Sequence, residues 1–268
     1  MKIKELYNLY SKNFLVDTDT RKIRENSIFF SLKGENFNGN KFAKKALDIG
    51  ARYAIIDEEE YKTDPNIILV DNVLETLQGL ANYHRNELKI PIVGLTGSNG
   101  KTTTKELINA ILSKKYNTTA TTGNLNNHIG VPLSLLEITK DHEIAIIEMG
   151  ANHLKEIEFL SRICLPDYGL ITNIGKAHLE GFGSLEGVEK AKTELYQNLI
   201  ERNKKAFINI EDVRLKKYVD KIENITYGKN NADCNSEIIE LTPFLKLKYN
   251  LGNDSEVVHS KLIGTYNF

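Results

Sequence analysis

The residues best suited to chemistry stand together between an apolar run and a helical one. The run IVGL (92–95) is followed by Thr96-Gly97-Ser98-Asn99-Gly100-Lys101-Thr102-Thr103 and then by helical spacing as far as Lys114. Glycines in such a loop let backbone N–H groups converge on one centre, and the helix N-terminus adds the positive end of its dipole. Lys101 is placed to reach the β- and γ-phosphates of a nucleoside triphosphate, and the Thr102 hydroxyl to ligate Mg²⁺. The common G-x-x-x-x-G-K-[ST] pattern is not fully met, since five residues separate Gly94 from Gly100 and Leu95 holds the usual first-glycine position. A plain strand-to-helix turn needs neither the lysine nor three threonines opening the helix. The loop Gly97–Thr103 is therefore assigned to a triphosphate and its magnesium.

Other groups are placed to work with that loop. Glu148 ends the apolar run IAIIE, and an acid at the carboxyl end of a parallel strand stands in the crevice where ligands bind. It holds Mg²⁺ directly or through water, or is an ordinary strand-end carboxylate. His178 follows the run YGLITNI (168–174) on the same edge, as a ligand or as a surface loop histidine. Lys192 lies on a helical stretch whose apolar face is Val188, Ala191, Leu195 and Leu199, at the border of that face. A buried ammonium needs a partner or a changed charge; otherwise the side chain snorkels to solvent. In Gly123–Gly130, asparagine amides either bind polar groups of a substrate or close Asx-turns within their own loop.

The elements that must position these residues fall into two groups. In the first, SIFFSL (27–32), YAIID (53–57) and NIILV (66–70) read as strands. Lys41–Gly50 and Val73–Leu88 read as helices, the latter with Leu74, Leu77, Leu80 and Ala81 on one face. Lys89-Ile90-Pro91 is the expected junction, which gives domains of 1–88 and 89–268. In the second, strands at 92–95, 143–150, 168–174 and 205–210 alternate with helices at Thr102–Lys114, Leu154–Ile163 and Leu185–Glu201. That alternation predicts a P-loop-type domain with a mainly parallel sheet covered by helices. From Ile225 onward the chain reads as short antiparallel strands. The fold class is thus α/β, a small N-terminal α/β domain followed by the larger one. The chain closes on GTYNF with no helix after it, an expected piece of a longer protein.

Composition excludes several classes. Lys+Arg is 35 and Asp+Glu 36, a net charge of -1, so nothing draws the chain to nucleic acid or an anionic membrane. Cys164 and Cys234 form no C-x-x-C or Cys/His cluster, which argues against zinc and for a reducing compartment. The N-terminus has no apolar signal core, and no run approaches the ~18 apolar residues of a membrane span. A cytoplasmic, soluble protein is expected.

Taken together, TGSNGKTTTKE (96–106), GNLNNHIGVPLSLL (123–136), IIEMGANHLKEI (146–157), ITNIGKAHLEGFGSLEGVEKAKTELY (171–196) and the closing GTYNF resemble the Mur ligases of bacterial peptidoglycan synthesis. The asparagine-rich segment and the EMGAN and AHLE-x-FGS runs are similar to the branch that adds D-Ala-D-Ala to UDP-MurNAc-tripeptide. They argue against the tripeptide-forming branch, and the N-terminal unit argues against a folylpolyglutamate-type ligase. The resemblance implies an ATP-dependent ligase working through an acyl phosphate, with two Mg²⁺ ions and a monomeric state. It implies metal-site roles for Thr102, Glu148, His178 and Lys192, the last carbamylated by CO₂ into a carboxylate-like ligand. It implies a UDP-binding N-terminal domain with Thr20 and Arg21 near the diphosphate and a substrate loop Lys33–Gly39 including Gly34 and Asn38. Where the family has Asp-Gly this chain has Asn38-Gly39. Asn126 and Asn127 would lie near the phosphates or the substrate peptide, and Asn267 near the adenine. Family members continue with a further C-terminal domain, so this chain alone is expected to bind nucleotide with little or no ligation.

Overall fold

The computed structural model describes residues 1–177 and 179–265. In chain order its elements are α1 (Ile3–Tyr10), β1 (Val16–Asp17), β2 (Ile28–Phe30), β3 (Lys33–Gly34), β4 (Phe37–Asn38), α2 (Ala43–Asp48), β5 (Tyr53–Ile56), β6 (Ile67–Leu69) and α3 (Val73–Glu87). Then come β7 (Ile92–Thr96), α4 (Lys101–Leu112), β8 (Thr118–Ala120), α5 (Gly130–Leu136), β9 (Ile144–Glu148), α6 (Glu156–Cys164), β10 (Tyr168–Ile171), α7 (Leu179–Phe182) and α8 (Leu185–Glu201). The chain ends in β11 (Lys205–Asn209), α9 (Val213–Lys216), β12 (Asn224–Gly228), β13 (Cys234–Glu240), β14 (Lys246–Leu251) and β15 (Asp254–His259). Contacts group these into two compact units. The first holds Met1–Ile90, Tyr116–Ile147 and Arg162–Leu165; the second holds Pro91–Lys115, Glu148–Ser161 and the chain from Pro166 onward.

In the first unit β1, β2, β5 and β6 form a parallel sheet in that order, with Ile28 opposite Tyr53 and Ala54 opposite Ile67. Its core joins Phe29, Ala54, Ile56 and Ile67 to Ala43 and Ala46 of α2. The side chain of Asn72 caps α3 by accepting from the Glu75 N–H at 3.0 Å, which satisfies one of the helix's unpaired donors. Val73, Leu77, Leu80 and Ala81 are buried at helical spacing, whereas Leu74 is only half-buried. The buried stripe continues instead into His84 and Arg85, whose polar atoms are all given partners. His84 Nε2 donates to the Ile138 carbonyl at 2.8 Å, and Arg85 donates to the carbonyls of Cys164 and Leu165 at 3.0 and 2.8 Å. The Tyr10 hydroxyl donates to the Leu136 carbonyl at 2.7 Å. β8 pairs in parallel with β9, Thr119 opposite Ala145.

In the second unit β7, β10, β11, β12, β13, β14 and β15 lie side by side in that order. The first four are parallel, with Gly94 opposite Gly169, Gly169 opposite Ala206 and Ala206 opposite Asn224. The antiparallel region begins later than Ile225: β12 is parallel to β11, and β13 joins β12 in parallel through Tyr227 and Cys234. Only the β13–β14 and β14–β15 pairs are antiparallel. α8 covers β10 closely, because a Cβ at Gly169 would stand 2.3 Å from Leu199 Cδ1; only glycine permits that approach. The parallel register sets Thr96 beside Ile171, so the loops leaving β7 and β10 emerge together. No helix among the described residues is long and apolar enough to cross a membrane.

Candidate functional site

The loop after β7 is shaped by two glycines. Gly97 has φ 148° and Gly100 φ 75°, conformations that L side chains rarely adopt. A Cβ at Gly97 would also fall 1.9 Å from Thr172 Oγ1. Between these glycines the loop is tied to the segment that follows β10. The Ser98 N–H donates to the Asn173 carbonyl at 3.0 Å, and the Asn99 N–H donates to Asn173 Oδ1 at 3.1 Å. The Asn99 carbonyl accepts from Thr172 Oγ1 at 2.7 Å and from Asn173 Nδ2 at 3.0 Å. Ser98 Oγ donates to the Gly175 carbonyl at 3.0 Å and accepts from the Gly175 N–H at 2.9 Å. The amides of Ser98 and Asn99 thus face the neighbouring loop. The donors left for an anion are those of the first turn of α4, Lys101, Thr102 and Thr103, which no helix can pair internally.

Lys101 folds back over this loop, its ammonium donating to the carbonyls of Gly97 at 2.9 Å and Ser98 at 3.2 Å. Burial lowers its pKa, and the Glu148 carboxylate opposes that shift. The Thr102 hydroxyl donates to Glu148 Oε2 at 3.0 Å, and Glu148 is 1% exposed. A hydroxyl and a carboxylate set side by side are hard oxygen donors of the kind Mg²⁺ takes.

Lys192 is fully buried in α8, at 1% exposure, rather than at the border of the apolar face. Its ammonium donates to the Ala151 carbonyl at 3.1 Å and stands 5.2 Å from the centre of the Phe182 ring. Burial, then the Lys101 charge, push its pKa down to about 8, against the pull of Glu156 and Glu194. The neutral amine made accessible in this way is the form that adds CO₂, and a carbamate there would present oxygens to a cation. As an ammonium it would repel one. Among the described residues no three His, Cys, Asp or Glu side chains gather as a metal cluster. Of the predicted ligands, the Thr102–Glu148 pair is the one whose donors fit Mg²⁺ as they stand. His178 and Asn267 lie outside the described residues. Spacing gave no signal for Asn173, nor for Glu194, which is 8% exposed and accepts from the N–H groups of Lys155 at 2.8 Å and Glu158 at 3.0 Å. Glu194 thereby fixes the start of α6, just beyond the Ala151 carbonyl that receives Lys192.

The remaining sequence-predicted residues belong to the first unit. Asn127 Oδ1 accepts from the N–H groups of Ile129 at 3.1 Å and Gly130 at 2.9 Å, so its side chain closes an Asx-turn at the start of α5. The Asn126 N–H donates to the Asn124 carbonyl at 2.8 Å. Thr20 and Arg21 line a cleft of about 580 Å³ with Thr18, Asp19, Phe29, Phe37, Phe42 and Lys45. Arg21 is paired with Asp19 at 2.7 Å, and this holds the Asp19 carboxyl down at about 2. Lys33 pairs with Asp57 at 2.9 Å and Glu58 at 3.3 Å, while Asn38 Nδ2 donates to Glu58 Oε2 at 2.8 Å. Gly34 pairs with Phe37 in the small β3–β4 hairpin.

Comparison with known proteins identifies relatives of this chain. The Mur ligase middle domain matches residues 95–268. The UDP-N-acetylmuramoyl-tripeptide–D-alanyl-D-alanine ligase of Bacillus subtilis is 41% identical over 215 residues, which is 80% of this chain and 47% of that protein. The crystal structure of MurF from Acinetobacter baumannii superposes with a TM-score of 0.84 at 33% identity, over 94% of this chain and 56% of that one. The MurF ligase of Thermotoga maritima, solved in complex with ADP, gives 0.81 at 30% identity, over 91% of this chain and 57% of that one. The chain spans about half the length of the relatives it matches. With a family match over well over half of its residues and a shared fold at 30% identity or more, the chain belongs to the Mur ligase family.

Proposed function

We propose that this chain is the nucleotide- and UDP-substrate-binding part of a cytoplasmic ATP-dependent ligase that joins D-Ala-D-Ala to UDP-MurNAc-tripeptide. The observation that carries this reading is the Thr102 hydroxyl of the phosphate loop bonded to the buried Glu148 carboxylate, with a second buried charge, Lys192, bonded to the Ala151 carbonyl beyond the same strand. The likeness to relatives bearing that ligase name supports the choice of substrates, and the ADP bound to the Thermotoga relative supports the nucleotide.

The chemistry follows from the parts. A carboxylate oxygen of the tripeptide attacks the γ-phosphorus of ATP, the bond to the bridging oxygen breaks, and ADP leaves. The Lys101 ammonium exchanges the Gly97 and Ser98 carbonyls for the more negative phosphate oxygens, and the first turn of α4 offers them its N–H groups. The amine of D-Ala-D-Ala then adds to the acyl phosphate, loses a proton, and phosphate departs from the tetrahedral centre. Two Mg²⁺ ions, held by Thr102, Glu148, His178 and carbamylated Lys192, would neutralise charge on the phosphate oxygens. In the N-terminal domain (1–88), Thr20, Arg21, Lys33, Gly34 and Asn38 are assigned to the UDP moiety. Arg21 would exchange Asp19 for the diphosphate, to which its fork of donors is suited. Within 89–268, Asn126 and Asn127 are assigned to phosphate or peptide and Asn267 to adenine, in a monomer.

The test uses the complete parent ligase with MgATP. Phosphate release matched by pentapeptide formation from UDP-MurNAc-tripeptide and D-Ala-D-Ala is expected. Turnover only with UDP-MurNAc-dipeptide and a diamino acid, or with folate substrates, would overturn the assignment. Intact mass should show one CO₂ on the protein, located at Lys192.

A further inference from the structure

The segment Thr172–Gly175 has no part in the chemistry above, yet it takes up most of the polar groups of Ser98 and Asn99. We infer that Asn173 is a positioning residue for nucleotide binding, clasping the phosphate loop through both the N–H and the carbonyl of Asn99. The inference rests on the phosphate-loop reading and adds to it the device that holds the loop in shape.

The orientation of the Asn173 carboxamide is fixed by its partners. An N–H can only donate, so it must meet Oδ1, and a carbonyl can only accept, so it must meet Nδ2. No other short side chain offers one donor and one acceptor at that spacing. An aspartate would set a negative oxygen against the Asn99 carbonyl, and an alanine would offer nothing. The backbone of Asn173 adds a third tie by accepting from the Ser98 N–H at 3.0 Å. Gly97 and Gly100 flank the clasped residues at φ 148° and 75°. A loop hinged on glycines loses much freedom when it closes on a ligand. The clasp removes that freedom beforehand, which is how preorganisation raises affinity. It also sets the Gly97 and Ser98 carbonyls on which Lys101 rests, and it turns the Asn99 carbonyl away from an incoming polyphosphate.

The experiment is calorimetric titration of the 268-residue chain with MgADP. Asn173→Ala, which deletes two side-chain hydrogen bonds, is expected to weaken binding about tenfold. Asn173→Asp should be weaker still at neutral pH. It should recover relative to the unaltered chain as pH falls to about 5, where the carboxyl begins to take a proton and can again donate to the carbonyl. Leu245→Ala, a buried apolar truncation in the same unit, serves as the stability control and should lower Tm without changing affinity. Asn173→Ala affinity within twofold of the unaltered chain, or an Asn173→Asp pH profile parallel to it, would overturn the clasp. Failure of the unaltered chain to bind MgADP would instead overturn the phosphate-loop reading, and the clasp with it.

Discussion

Replacing Lys192 by methionine should stabilise the protein at neutral pH. The ammonium sits at 1% exposure, and its pKa falls from 10.5 to about 8. At about 1.4 kcal/mol for each tenfold change, holding the charged form in the folded state costs about 3 kcal/mol. Methionine fills a similar volume without charge but leaves the Ala151 carbonyl without this donor, a loss of about 1 kcal/mol. The net gain is about 2 kcal/mol at pH 7, several degrees in Tm. Its sign reverses with pH. Below about pH 8 both folded and unfolded chains carry the proton and the whole penalty acts. Between about 8 and 10.5 the folded chain sheds it while the unfolded chain keeps it, so the lysine protein gains stability as pH rises. Above 10.5 the penalty is gone and methionine should be the worse residue. Denaturation of both proteins in CO₂-free buffer from neutral to alkaline pH measures the difference directly, since every other titrating group is shared. A methionine variant less stable than the lysine protein at pH 7, or a difference that does not vary with pH, would refute the reasoning. The same variant should carry no CO₂.

Three other outcomes follow from the geometry. Gly97→Ala must place a Cβ 1.9 Å from Thr172 Oγ1 at φ 148°; about 2 kcal/mol of strain and at least a tenfold loss of MgADP affinity are expected, and unchanged affinity by titration would contradict it. Glu194→Gln keeps the shape but removes the charge that receives the Lys155 and Glu158 N–H groups; chemical denaturation should show a loss of about 1 kcal/mol. Burial depresses the pKa of His84 below its usual 6.5, so the unfolded chain takes up the proton first. Stability present above pH 6.5 should then fall as pH drops below it. His84→Gln should flatten that acid slope, and an unchanged slope would count against it.

What was legible in the sequence is what is local. The strand, the Gly-Lys-Thr turn and the helix of the phosphate loop are contiguous, and α8 runs over the predicted Leu185–Glu201. Spacing puts Lys192 at the border of the buried face, but its complete burial depends on Ala151 and Phe182, which reach it from other segments. Thr172 and Asn173 read as the end of a strand. In fact β10 stops at Ile171: the Thr172 N–H still bonds the Thr96 carbonyl of β7, but the side chains of Thr172 and Asn173 turn to Asn99 of the phosphate loop. α5 gave no helical period because nearly all of it is buried, and a helix apolar on every side shows no stripe. Asn127 offers two readings: its Oδ1 accepts from the Ile129 and Gly130 N–H groups, and its substrate role rests on the resemblance.

The path of the backbone has a practical consequence. The first compact unit is assembled from three stretches separated along the chain. A peptide of residues 1–88 expressed alone would therefore be missing part of its own interior. The Tyr10 hydroxyl and His84 Nε2 would lose the acceptors supplied by Leu136 and Ile138, and α3 would lose the flank against which α5 packs. Such a peptide should behave as a loosely packed, aggregation-prone chain, and its restoration should require Tyr116–Ile147 supplied in the same polypeptide.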